Sequence, residues 1–190
     1  MRPRSYSDDL IFGSISNVLM NQGYDGLTLQ RVADEAGLSP AILSKRFGSK
    51  SGMLLAYYGY VVDATKQYFA QLASQSIPPI DKLKKAFLAW HGPVMEPKAV
   101  ANMTMLYLKL DLEPEFTAKS KERLNLIDDE VQRLLQEAMD RGDIRQGNVA
   151  GQSRVLQAAV TGAYMLWCKA GRGGSLEERI DECFEQILGA

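Results

Sequence analysis

The chain has 190 residues, 46% of them hydrophobic and 24% charged, with a formal net charge of −1. That is enough apolar material to bury a core, which excludes a disordered chain, and too even a charge balance for a protein that coats nucleic acid through bulk charge. Any affinity for nucleic acid has to come from local placement: residues 1–52 hold six basic against five acidic side chains, a charge of +1, which leaves −2 for residues 53–190.

Met1 to Tyr6 reads as a short arm whose Arg2 and Arg4 either reach a phosphate or the minor groove or belong to a frayed terminus. From Ser7, a capping residue with Asp8 and Asp9 behind it, the spacing of Leu10, Ile11, Ile15, Val18 and Leu19 predicts a first helix that Gly23 ends. A second helix starts at the cap Thr28 and puts Leu29, Val32, Ala33 and Ala36 on one small apolar stripe. Gly37 stops it, Leu38 anchors the turn, and Ser39-Pro40 opens a third helix with a capping hydroxyl and a proline at its first position. Two short helices and a sharp turn within Thr28 to Phe47 form a helix-turn-helix pattern.

At about 100° per residue, Leu43 and Phe47 of the third helix point one way and Lys45 nearly opposite. Ala41 and Ile42 flank Lys45, while Ser44 and Arg46 occupy the borders. Such a face suits the major groove, since small residues admit the backbone to base edges, an apolar group touches a thymine methyl, and Lys or Arg reaches guanine or phosphate. The alternative is a pair of solvated surface helices. Gly48-Ser49 then starts a long fourth helix, with Lys50 in its first turn, through Met53, Leu54, Tyr57, Tyr58, Val61, Val62, Thr65 and Phe69 to about Leu72. Ser74 to Pro79 is the clearest linker.

The remainder has helical periodicity throughout. Ile80 to His91 sets Leu83, Ala86, Phe87 and Trp90 against Lys82, Lys84 and Lys85, and Gly92-Pro93 breaks it. The segment from Pro97 through Val100, Met103, Met105, Leu106, Tyr107, Leu108 and Leu110 is apolar nearly all round, which predicts a buried helix. Phe116 to Arg141 is amphipathic and stops at Gly142. Val149 to Lys169 mixes large residues with Ala158, Gly162 and Ala163, turns through Gly171 to Ser175, and is followed by Leu176, Ile180, Cys183, Phe184 and Ile187 on one face. A helical hairpin with small residues beside large ones permits close helix approach, either within the chain or against a second copy.

The first helix, Gly23-Tyr24, the loop to Thr28, Ala36-Gly37-Leu38-Ser39, Phe47-Gly48-Ser49-Lys50 and the long following helix together resemble the DNA-binding domain of TetR-family (tetracycline-repressor-like) transcriptional regulators, over about residues 7 to 70. The resemblance implies an all-α protein: a three-helix DNA-binding domain over residues 1–52, and a long fourth helix leading into a ligand-binding and dimerisation bundle over residues 53–190. It implies double-stranded operator DNA as partner, contacted by Thr28, Ser39, Pro40, Ala41, Ile42, Ser44, Lys45, Arg46 and Lys50, with Lys50 on a phosphate. Ser44 stands where the family commonly has an aromatic, most often Tyr, and Arg46 where His is common. The resemblance further implies a homodimer paired through residues 149–188, and a small-molecule effector in the C-terminal bundle whose binding releases a repressor from its operator.

For that effector the sequence offers Trp90, Met103, Tyr107, Tyr164 and Trp167 first, and His91, Met95, Met105 and Cys168 beside them. Aromatics and methionines suit a mostly apolar ligand, and plain core is the alternative for each. His91 is the single histidine and neither cysteine has metal-ligand spacing, so no metal site, cofactor site or catalytic residue is expected. No apolar run approaches the roughly 20 residues of a membrane span. With no secretory leader pattern, the reading is a cytoplasmic protein in which the Asn102-Met103-Thr104 sequon is incidental. The competing reading is a helical ligand-binding or enzymatic protein whose N-terminal helices merely pack. It requires the Ala41, Ile42 and Lys45 face to be covered.

Overall fold

The computed structural model describes residues 7–91, 96–110, 112–169 and 173–189. Among them the chain forms nine helices and no strand: α1 Asp8–Gly26, α2 Leu29–Ala36, α3 Pro40–Phe47, α4 Lys50–Ala73, α5 Pro79–His91, α6 Pro97–Leu110, α7 Pro114–Arg141, α8 Val149–Lys169 and α9 Leu176–Leu188. The expected arm with Arg2 and Arg4, the Gly92-Pro93 break, Met95, the side chain of His91 and the start of the Gly171 turn lie outside the described residues. No helix among the described residues is long and apolar enough to cross a membrane.

The chain packs as two compact units, residues 1–64 with 98–122 and residues 65–97 with 123–190. In the first, Ile11, Phe12, Ile15, Val18 and Leu19 of α1 meet Val32 and Ala33 of α2, Leu43 of α3, and Met53, Leu54, Tyr57 and Tyr58 of α4. Leu29 and Phe47 close its margin, so the expected three-helix core is present. Leu106 and Leu110 of α6 and Phe116 of α7 join the same core, which periodicity gave no means of anticipating.

α6 is not buried all round as its composition predicts. It lays Ala99, Val100, Leu106 and Leu110 inward, while Met105 and Leu108 are 65% and 61% exposed. The hydrophobicity of α6 exceeds what its inward side needs.

α1 runs past its predicted stop to Gly26 but breaks helical geometry at Gly23, which has φ 70 and ψ −174. The kink withdraws a partner from the carbonyl of Met20, and the Asn102 side chain of α6 donates to it at 2.8 Å. Asn102 is thereby a structural link between α6 and α1.

In the second unit, α8 and α9 form the expected hairpin, and α5 packs on α9 through Phe87 and Phe184, whose ring centroids are 5.9 Å apart. The turn is held by Trp167 Nε1 donating to the Gly174 carbonyl at 3.1 Å, and a Ser175/Glu178 capping box starts α9. α8 has two apolar sides. Leu156, Val160, Tyr164 and Trp167 are buried, whereas Val155 and Leu166 are 55% and 68% exposed, with Ala159, Gly162 and Ala163 half-buried between them.

Candidate nucleic-acid interface

α2 and α3 are positioned by their own ends and by Leu43. Thr28 caps α2, accepting from the Arg31 N–H at 3.1 Å, and Gly37 closes it in the left-handed region at φ 66, ψ 33. That turn is tied by the Leu38 N–H on the Ala33 carbonyl at 2.8 Å. Ser39 stands at the N-cap of α3, but its hydroxyl makes no cap hydrogen bond, contrary to expectation. The N–H it would take, that of Ile42, bonds the Ser39 carbonyl instead at 3.0 Å, and Pro40 has no N–H to offer. The Ser39 hydroxyl is thus left on the outer surface at the start of α3.

Leu43 is fully buried and Phe47 half-buried, which turns the opposite side of α3 outward. Ala41, Ser44 and Lys45 are exposed, and Pro40 and Ile42 are half-buried. Lys45 makes no ion pair or hydrogen bond with the described residues. The covering of this face that a merely packed helix pair requires is absent for Ala41 and Lys45. On α2 the nearby acids are engaged by amides: Gln30 donates to Asp34 at 2.8 Å and Asn17 to Glu35 at 3.1 Å.

The two other cations expected here are held by the protein. Arg46 pairs through Nη2 with Asp8 Oδ1 at 2.7 Å, its guanidinium 5.1 Å from the Phe47 ring centroid and 5.9 Å from that of Phe12. Lys50 Nζ donates to the Tyr24 carbonyl at 2.5 Å and lies 3.9 Å from the Tyr24 ring centroid. Burial lowers the Lys50 pKa, and Lys109 acts in the same direction against Asp25 and Glu113. Lys109 of α6 lies 4.0 Å from the same ring centroid and pairs with Asp25 at 3.3 Å. Burial raises the Tyr24 hydroxyl pKa, with Glu113 adding to it. Sequence reasoning missed Asp8, Tyr24 and Lys109 as neighbours of the site, because nothing local relates residues 38 or 84 positions apart.

The residues proposed for an effector divide between the units. Met103 and Tyr107 belong to the first, where Tyr107 meets Tyr58 edge-on at 6.5 Å. Trp90, Tyr164 and Trp167 belong to the second, where Trp90 stacks edge-on with Phe69 and Phe87 at 5.7 and 5.2 Å. Trp167 lines a shallow groove of about 350 Å³ with Ala163, Leu166, Gly173 and Arg179.

Fold and site together define a helix-turn-helix protein: a glycine-hinged helix pair on a buried core, presenting a small and cationic face. Residues 15–57, which hold the helix-turn-helix, match the family described as bacterial regulatory proteins, tetR family. The fold is shared over nearly the whole chain with solved structures. A TetR transcription regulator from Haloarcula marismortui superposes with a TM-score of 0.75 at 18% identity, covering 95% of this chain and 97% of that one. The fatty acid degradation regulator FadR from Bacillus halodurans gives 0.74 at 16% identity, covering 97% and 99%. SmeT, the repressor of the Stenotrophomonas maltophilia multidrug efflux pump SmeDEF, gives 0.68 at 17% identity, covering 97% and 91%. At these identities the likeness is one of fold. No curated protein sequence matches the chain.

Proposed function

We propose that the protein is a homodimeric, sequence-specific transcriptional repressor that leaves its operator when a small molecule binds its C-terminal part, and that it acts in the cytoplasm without catalysing a reaction. The observation that carries the DNA reading is the open face of α3, where Ala41, Ser44 and an unpaired Lys45 stand outward while Leu43 is buried. Residues 1–52 supply the DNA contacts in this reading and residues 53–190 the effector site and dimerisation. Thr28, Ser39, Pro40 and Ser44 approach the backbone, Ala41, Ile42 and Lys45 meet base edges, and Lys50 gives a phosphate its remaining ammonium hydrogens.

Pairing is assigned to the second apolar side of α8, where Val155 and Leu166 flank small residues, within residues 149–188. A two-fold dimer sets its recognition helices about one helical turn apart and selects a palindrome. An effector that favours a dimer with another spacing weakens operator binding by the same factor by which operator weakens its own. Trp90, Tyr164 and Trp167 are the proposed lining residues of the second unit, and Met103 and Tyr107 are the candidates that belong to the first.

Selection of bound fragments from genomic DNA supplies the operator and tests the reading, which fails if no sequence is enriched. On that operator, Lys45→Ala should weaken binding roughly tenfold to a hundredfold and relax the base preference, as loss of a base contact worth about 1–3 kcal/mol requires. Lys50→Ala should weaken binding to all sequences alike and flatten the salt dependence by about one unit of log–log slope. Gel shifts across a salt series separate the two, and unchanged binding in both variants defeats this docking. Leu166→Glu should convert a dimer into a monomer in sedimentation velocity, and a dimer that persists rules out this side of α8.

A further inference from the structure

We propose that Asp8 is a positioning residue that restrains sequence-independent DNA affinity: it draws Arg46 off the α3 face, so that among the described residues Lys45 is the one unengaged cation presented there. The proposal rests on the DNA reading above and adds what keeps the affinity for arbitrary sequence low.

Arg46 sits on the border of the open face, one residue beyond Lys45, where an extended guanidinium would reach a phosphate whatever the sequence. Instead it turns to the start of α1. Its Nη2 meets Asp8 Oδ1 at 2.7 Å, and its plane lies by the rings of Phe47 and Phe12. A planar, weakly hydrated guanidinium fits such a seat, between a carboxylate and aromatic faces, better than an ammonium would.

The seat itself is fixed. Asp8 is in the first turn of α1, capped by Ser7, where the free N–H groups of the helix favour a carboxylate. Phe12 stacks on Tyr60 with centroids 4.5 Å apart, and the Tyr60 hydroxyl donates to Asp9 at 3.1 Å, which fastens the beginning of α1 to α4. Asp8 therefore holds station while Arg46 comes to it. A cation withheld from phosphates removes one counterion-releasing contact from every complex alike, so the affinity for arbitrary sequence falls and a larger share of what remains comes from base contacts.

The test is fluorescence anisotropy of the full chain on a short mixed-sequence duplex over a salt series, with circular dichroism confirming that each variant keeps its helix content. Asp8→Asn should tighten binding roughly threefold to tenfold at low salt and steepen the log–log salt slope by about one, the share of one phosphate contact. Arg46→Gln alone should leave binding unchanged, and added to Asp8→Asn it should abolish the gain. Asp9→Asn makes the same charge change one residue on without freeing Arg46 and should leave the slope as it was. If Arg46→Gln alone weakens binding, Arg46 is already a contact and the proposal is overturned. Equal gains from Asp8→Asn and Asp9→Asn reduce the effect to net charge and also overturn it. If the unaltered chain binds no duplex at any salt, the DNA reading itself has failed, whereas binding by the unaltered chain that Asp8→Asn leaves unmoved defeats the proposal alone.

Discussion

Leu43→Ala is expected to destabilise the first unit by about 2–5 kcal/mol and to abolish DNA binding. Leu43 is the single fully buried residue of α3 and lies in one core with Ile15, Val32 and Met53. An eight-residue helix has no standing of its own in water, since helices below about 12 residues are marginal even with favourable composition. Its orientation is set by that anchor, with Phe47 at its margin. Truncation opens a cavity at the place where α3 meets the body, so the recognition face loses its direction along with its stability. Urea denaturation followed by helical circular dichroism, with anisotropy on the selected operator, reads both effects. A loss under about 1 kcal/mol would mean that α3 is held by something other than this contact.

The second large effect belongs to Gly23→Ala. The residue has φ 70 and ψ −174, a conformation open in practice to glycine alone, and occupying it with another residue costs on the order of 1–3 kcal/mol. The added Cβ would also stand 3.0 Å from Asn102 Oδ1 and 3.3 Å from its Cγ, so the side chain that serves the Met20 carbonyl has to give way. Loss of that hydrogen bond adds about 1 kcal/mol. Asn102→Ala alone should cost only this last amount, and the two substitutions together should cost less than their sum, because the smaller residue 102 relieves the contact. Strict additivity in denaturation midpoints would show that the kink and the α6 contact are independent.

The helix boundaries were legible because they are written locally. Ser7, Thr28, Gly37 and Gly142 each sit at the helix end they predict, since a cap needs only a side chain and three or four neighbouring backbone groups. Ser39 is the exception that shows the limit. Its type and place suit a cap, yet a backbone carbonyl took the N–H first. The outward side of α3 was legible for the same local reason, as Leu43 and Phe47 fix one side and helical period places Lys45 on the other. What a charged side chain does once outside was not. Lys45 stays open, while Arg46 and Lys50, similar in sequence terms, are engaged by Asp8 and Tyr24. α6 misled through composition: Met105 and Leu108 signal burial, and the fold leaves them in solvent.

By itself the sequence determined that this is an all-helical protein, where most of its helices begin and end, and that its N-terminal segment holds a glycine-hinged helix pair. These follow from periodicity and capping, forces that act within about four residues. Only the tertiary structure decided that α6 and the start of α7 share the core of α1 to α4, and that Asn102 serves the Met20 carbonyl 82 positions away. It alone decided which cations remain available at the surface. Contacts of that span depend on how whole helices pack, and a side chain's neighbours are settled by that packing, which no local pattern encodes.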